Sequence, residues 1–425
     1  MATMFIASAL LSGCFRPDSG LPFFKVSGPV TESTSISNPE VAGENNNQGG
    51  GKAQILLTPT PNEPIVLPTL RTGTITYIVQ SGDTLQKIGQ RYQVSVSQIM
   101  EVNEFVNPNL IEIGQVIIVP PPSFDKQASS FKIIPDSELV NSPSNASFDV
   151  NQYVSDLGGY LGNYSQDIDG AVLSGAEIVQ RVAVEYSINP RLLLTLLEYQ
   201  SQWLSLDNPE DNTEFYPMRY YDVWREGLYN QLSWAANLLN EGYYLWKINA
   251  INVWVLSDSS VIQVEPTINA GTAGVLNLLR YLTTSENWDE AISPDGVYAA
   301  YQNLFGYPFS GAVEPMLPGN LVQPDMQLPF EEADEWSFTG GPHGGWNTGS
   351  AWAAIDFAPP GEALGCYPSD AWAAASAPGE IVYSDYGAVI QDLDGDGIWQ
   401  TGWSFLYIHL APVDRVEAST FLEPG

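Results

Sequence analysis

Only two histidines occur in the 425 residues, His343 and His409. Imidazole changes charge nearest to neutral pH and is the commonest protein metal ligand. His343 ends Gly340-Gly341-Pro342-His343, and Asp356 follows in Ala353-Ala354-Ile355-Asp356-Phe357. His409 sits in Phe405-Leu406-Tyr407-Ile408-His409-Leu410. Imidazole and carboxylate are the donors that hydrolytic zinc uses, three from the protein with the fourth position left to water. A second polar group, Asp392-x-Asp394-x-Asp396-Gly397, has the acid spacing of a calcium loop. An EF-hand closes with a glutamate at its last loop position, and Trp403 stands there. A polar hairpin turn is the expectation, with a partial calcium site as the alternative.

The elements that must position these groups read as strands. Past Pro315-Met316-Leu317-Pro318-Gly319, Trp352 to Phe357 is one and Gly379 to Tyr383 another. Ala388 to Ile390 and Ser404 to Ile408 form a hairpin around the three aspartates, so the region is antiparallel β. Upstream the pattern is helical. Ser174-Gly175-Ala176-Glu177 is a capping box, followed by an apolar face at Ile178, Val179, Val182, Ala183 and Tyr186. Asn189-Pro190 opens a helix with proline at its first position, running to Trp203. Leu228 to Leu239 and Val275 to Leu282 mark two more. Tyr199, Trp203, Tyr220, Tyr221, Trp224 and Trp234 could stack on sugars, although core is the plainer place for most.

A third stretch reads strand, helix, helix, strand. Thr76 to Val79 alternates, and Asp83 is placed to cap a helix starting at Thr84. Val96 to Met100 opens the second helix, and Gln115 to Val119 closes as a strand before three prolines. Tyr77-x-Val79-x-x-Gly82-Asp83-Thr84-Leu85, Asn103, Asn107-Pro108-Asn109 and Gly114-Gln115 resemble the LysM domain over Thr76 to Pro120. That resemblance implies binding of N-acetylglucosamine polymers, in peptidoglycan or chitin. The groove would lie between Gly82, Asp83, Thr84 and Leu85 on one loop and Asn109, Leu110 and Ile111 on the other. With one copy the affinity should be modest without avidity.

Totals bound the rest. A chain of 425 residues suggests roughly two to four domains. With 49 acidic and 15 basic residues the net charge is −34, which excludes nucleic acid and a membrane surface bound by charge alone. Two cysteines, Cys14 and Cys366, do not make a disulfide scaffold. Met4 to Leu11 is too short to span a bilayer and fits a signal-peptide core. Its end, Leu11-Ser12-Gly13-Cys14, resembles the bacterial lipobox, which implies export, lipidation at Cys14 and a membrane-anchored or secreted extracytoplasmic protein. No Lys or Arg precedes the run, so the true start is expected upstream. The Asn/Gly-rich and Pro-rich residues after it read as tether.

The segment Ala183-Val184-Glu185-Tyr186-Ser187-Ile188-Asn189-Pro190-Arg191-Leu192-Leu193-Leu194 resembles the opening of a lysozyme-like lytic transglycosylase. Where that family has its catalytic glutamate, Gln200 stands before Ser201. Glutamine cannot protonate a glycosidic oxygen, and Glu198 lies on roughly the opposite helix face. The expectation is a retired glycosidase fold serving as spacer or glycan cradle.

The C-terminal strands resemble lysostaphin-type zinc endopeptidases of the staphylolysin branch. That branch takes one histidine from a Gly-x-His loop thirteen residues before its aspartate, the spacing of His343 and Asp356. Ile355 to Gly361, Ala374 to Tyr383 and Leu406 to Leu410 also match family strands. The resemblance implies zinc held by His343 and Asp356, with His409 as a catalytic second-sphere group. It also implies a third ligand from a His-x-His motif, and disulfides in this domain. No such motif occurs here and Cys366 has no partner in sight, so the chain is expected to be a fragment of a longer peptidoglycan hydrolase. The alternative is a non-catalytic wall-binding or hydrolase-activating lipoprotein.

The expected architecture is multidomain α+β. It runs as leader (1–14), flexible linker (15–73), βααβ LysM module (74–120), linker (121–150), all-α lysozyme-like domain (151–312), linker (313–335) and an incomplete antiparallel β-sheet peptidase domain (336–425). The expected partners are peptidoglycan, through its glycan and peptide crossbridges, and a membrane through the lipid anchor.

Overall fold

A computed structural model describes residues 61–425, apart from 106, 108, 109, 125, 211, 345–351 and 362–368. Cys14, Asn109 and Cys366 therefore lie outside the described residues. No helix among the described residues is long and apolar enough to cross a membrane.

Alternation of apolar residues makes the first unit. Strands β1 (Ile75–Ile78) and β2 (Val116–Val119) pair antiparallel with Tyr77 opposite Ile117. Helices α1 (Leu85–Tyr92) and α2 (Val96–Glu101) cover one face. Tyr77, Val79, Leu85, Ile88, Val94, Ile99, Ile117 and Val119 form a separate small core. The cap of α1 is Thr84, which accepts from the Lys87 amide, one residue later than expected. Asp83 is occupied instead by the Gln80 amide at 2.8 Å and the Tyr77 hydroxyl at 2.6 Å. Ser95 and Gln98 make a full capping box on α2.

The middle region is not all-α. It contains β3 (Lys126–Gln127), α3 (Val150–Leu157), α4 (Gly159–Asn163), β4 (Ser165–Ile168), β5 (Ala171–Ser174), α5 (Gly175–Tyr186), α6 (Pro190–Ser201) and α7 (Leu228–Lys247). It continues with β6 (Val253–Val255), β7 (Val261–Gln263), α8 (Ala270–Leu282), α9 (Trp288–Ala291) and α10 (Val297–Phe305). β4–β5 and β6–β7 are hairpins, and β3 adds to β7 in parallel. The capping box at Ser174 and the Asn189 cap with Pro190 form as expected. α6 stops at Ser201, because Gln202 turns left-handed (φ 56°) and Glu198 accepts from the Leu204 and Ser205 amides.

Two stretches read as linker belong to this body. Ile133, Ile134 and Leu139 are fully buried in its core. The buried Asp136 carboxylate accepts from the Gly271 amide at 2.8 Å and from Asn269, at the start of α8. There it also meets the positive end of the helix dipole. Glu138, buried as well, accepts from Asn189 at 2.9 Å, Arg191 at 3.1 Å and Tyr301. Residues 61–73 lie along the same body. The Asn62 and Ile65 amides donate to Thr267 and Pro266 carbonyls, and Ile65 and Leu67 pack on the core. Gly242 and Gly274 let α7 and α8 touch backbone to backbone, since a Cβ on Gly274 would lie 2.7 Å from the Leu239 carbonyl.

The C-terminal part has a two-stranded ladder, β8 (Ser337–Gly344) with β9 (Trp352–Ala358). A four-stranded antiparallel sheet follows, made of β10 (Gly379–Asp385), β11 (Ala388–Asp392), β12 (Ser404–Tyr407) and β13 (Phe421–Leu422), in the order β12-β11-β10-β13. Residues 313–335, also read as linker, attach at both ends. The Val313 amide donates to Ser137, and the Gln327 amide donates to the Ser376 carbonyl. Arg181 of α5 lies over the Tyr386 ring of the β10–β11 turn at 5.5 Å.

Candidate functional site

The β8–β9 ladder carries the first pair of candidate ligands. His343 pairs with Ala354, and Asp356 lies two residues further along β9, opposite Gly340. Positions related diagonally across an antiparallel pair are about 7–8 Å apart, so the backbone register brings these two positions close. A register shift between Gly340 and His343 bulges β8. Gly341 sits in that bulge at φ 112°, where a Cβ would come within 2.7 Å of the Ala354 carbonyl. Only glycine fits there. β9 is anchored by Phe357, whose ring lies 5.4 Å from Phe330 and 5.9 Å from Phe338. Asp356 itself is exposed.

His409 stands on the other sheet. It is expected in a strand, but β12 ends at Tyr407 and His409 takes φ 65°. The left-handed turn throws it out to an exposed position just past the edge strand, and the Leu410 amide then returns to the Gly387 carbonyl at 3.0 Å. The strand end is held by Tyr407, which donates to Gln391 at 2.9 Å and accepts from the Ser376 amide at 2.9 Å. The fold thus gathers His343 and Asp356 on one ladder and presents His409 from a separate sheet. As a donor set, an imidazole position beside an exposed carboxylate fits two of the three places that hydrolytic zinc fills.

Among the described residues, the three donors close enough to share an ion are Asp392, Asp394 and Asp396. Two of the three carboxylates accept hydrogen bonds within the turn. Asp392 accepts from the Gly397 amide at 2.9 Å and the Asp394 amide at 3.2 Å, and Asp396 from Ile398 and Thr401, each at 2.8 Å. Burial and then the adjacent Asp392 push the Asp394 carboxyl up. The hairpin turn thus holds the three carboxylates within 4.8 Å of one another, without the closing glutamate of an EF-hand.

The first module brings its two candidate loops together. The Val79 amide donates to the Gln115 carbonyl and the Gly114 amide to the Val79 carbonyl. The loop leaving β1 therefore lies beside the loop entering β2. Gly82 turns at φ 84° and its carbonyl takes the Lys87 ammonium at 2.9 Å. Thr84 and Leu110 are exposed and Ile111 is half-buried. Leu85 is 5% exposed and belongs to the core, so it shapes the loop rather than lining a groove. Asn103 is the residue whose role the motif alone does not explain. Its side chain bonds the Ile99 carbonyl and both backbone groups of Ile118, fastening α2 to β2.

Comparison with known proteins gives two domain matches. Residues 77–120 match the LysM domain model, and residues 132–318 match the model described as LasA, N-terminal domain. The second match begins inside the stretch first read as a link and covers most of the helical body. Protease LasA of Pseudomonas aeruginosa (strain UCBPP-PA14) is 24% identical over 262 residues, 59% of this chain and 58% of that protein. The N-acetylmuramoyl-L-alanine amidase XlyA of Bacillus subtilis (strain 168) is 49% identical over 51 residues, 12% of this chain and 17% of its own length. The secreted LysM effector ECP6 of Passalora fulva is 43% identical over 49 residues, 12% of this chain and 22% of its own. The chain spans less than two thirds of each relative. These similarities make the chain a LysM-containing protein of cell-wall-peptidase likeness.

Proposed function

We propose that this is an exported peptidoglycan-binding protein whose C-terminal region belongs to a zinc endopeptidase cutting wall peptide crossbridges. The supporting observation is one chain carrying both a LysM match and a 262-residue similarity to Protease LasA. That similarity is longer than the 132–318 domain match. In this reading the loops at Gly82–Thr84 and Asn109–Ile111 hold N-acetylglucosamine-containing glycan. His343 and Asp356 hold the metal, with the third ligand outside the described residues. Zinc, when bound, polarises the scissile carbonyl and lowers the pKa of its water. His409, exposed at the end of β12, gives or takes the proton on the substrate side. Export and lipid anchoring through Cys14 complete the proposal.

The test uses the complete protein. His343→Ala and Asp356→Ala are expected to abolish zinc retention in equilibrium dialysis. His409→Ala is expected to keep zinc and lose about 100-fold or more in crossbridge cleavage. Zinc affinity that survives the first two changes would sink the ligand assignment. A complete protein that binds sacculi but never holds zinc is a wall-binding protein instead.

A further inference from the structure

Trp224 is 87% exposed. It is the outlier among the aromatics of the helical body. Trp203 is buried against Tyr160 and Tyr164, and Trp234 is stacked on Tyr220 at 3.9 Å. Around Trp224 the same loop exposes Tyr221 at 64%, Phe215 and Val223. Leaving this much aromatic surface in water forgoes burial free energy on folding, and exposed apolar clusters mark contact sites.

The loop is not slack. Gln231, fully buried on α7, accepts from the Met218 amide and donates to the Tyr220 and Arg225 carbonyls, both at 2.8 Å. The Gly227 amide closes the loop on the Phe215 carbonyl at 2.8 Å, and Met218 is buried. The Asp222 carboxylate caps the short turn that carries Trp224. One buried side chain thus fixes the backbone at three points, and a preorganised platform is the cheap way to bind.

Charge narrows the occupant. Arg219 is paired with Glu210 at 2.8 Å, and Arg225 lies 3.9 Å from Asp222. Glu214 and Glu226 have no ion pair among the described residues, so the rim is acidic. It repels nucleic acid, anionic lipid and a second copy of itself, since a twofold contact would face these acids with their own images. A protein interface of ordinary size uses about 20–30 residues a side, and this loop offers four apolar side chains. An uncharged sugar ring suits both parts, with a C–H face for the rings and hydroxyls that donate to carboxylates. We infer that the 215–226 loop is a second glycan-contact site, stacking pyranose rings of the wall strand on Trp224 and Tyr221. The inference rests on the wall-binding reading above. It would supply the avidity that a single LysM module lacks.

The experiment is co-sedimentation of the full chain with insoluble chitin, an uncharged N-acetylglucosamine polymer free of the carboxylates that stripping stem peptides from peptidoglycan would expose. The variants are Trp224→Ala/Tyr221→Ala, Trp224→Phe, and Leu110→Asp on the module loop. All of these positions are exposed, and thermal melts check that each variant folds. The double variant is expected to bind about tenfold more weakly, while Trp224→Phe keeps most of the affinity. If the double variant binds like wild type while Leu110→Asp is impaired, the second site is wrong and the wall reading stands. If the unaltered chain does not sediment with glycan, the wall reading falls and takes this site with it. Loss confined to soluble stem peptides, or a change of oligomeric state by light scattering, overturns the glycan assignment in favour of a peptide or self-association surface.

Discussion

The LysM module and the helical body solve the same problem in opposite ways. The module closes a core of eight buried residues from contacts within 74–120, with β1 and β2 as its ladder among the described residues. The body gathers its core from distant chain. Ile133, Ile134 and Leu139 come in from before α3, Ile65 and Leu67 from before the module, and Asp136 caps a helix that begins at Ala270. Local closure makes the module legible and portable, as its recurrence in an amidase and a fungal effector attests. Long-range closure makes the body one cooperative piece.

The contrast can be broken in order of effect. Glu138→Ala leaves Arg191 without its carboxylate and Asn189 and Tyr301 without their acceptor. It should cost about 3–5 kcal/mol. The loss should appear in the denaturant transition followed by tryptophan fluorescence, which is silent on the module because residues 74–120 contain no tryptophan and reports the body together with the C-terminal region. Leu139→Ala, against Gly274 of α8, should cost about 2–5 kcal/mol in that same transition. Ile99→Ala should cost a similar amount in the module alone, read by amide exchange at Ile117. A common shift in both probes would contradict independent closure. Asn103→Ala removes one hydrogen bond to α2 and two to β2, and should cost the module about 1–3 kcal/mol.

The smallest effect is at the start of α5. Ser174→Ala should cost about 1 kcal/mol, and it carries a pH signature. The Ser174 amide and hydroxyl hold the Glu177 carboxyl below its ordinary value. A carboxyl lowered by folding contributes stability that is complete above the unfolded pKa of about 4.3. That contribution drains away as pH falls through the folded value. Wild type and Ser174→Ala should therefore differ most near neutrality and converge in acid. A gap that widens on acidification would refute the assignment.

How much could be read beforehand follows the same division. The βααβ order, the Ser174 and Asn189 caps and the β11–β12 hairpin rest on neighbours in sequence, and the sequence marks them. The one-residue error at Thr84 arose because Asp83 and Thr84 are both good caps, and Tyr77 decides between them by donating to Asp83. Ile133-Ile134 carries no periodicity, so nothing local distinguishes it from linker; Thr272 and Asn269 supply the partners 135–139 residues away. Trp203 and Trp224 are alike as residues, and only tertiary packing sends one inward. For the candidate zinc ligands the spacing of His343 and Asp356 was readable. The bulge that relates them needed a glycine at 341, packed against the Ala354 carbonyl.

The Arg71 side chain reaches back to the Val119 and Pro120 carbonyls, at 3.4 and 2.6 Å, at the close of the module. Gln86 of α1 donates to Ser257 of the body at 3.0 Å. Residues 61–73 run beside both as a strut. A polymer strand gripped by the module would therefore load the body directly, like a lever on a clamped shaft. Within the described residues these hydrogen bonds are the path by which a pull on the module would reach the body.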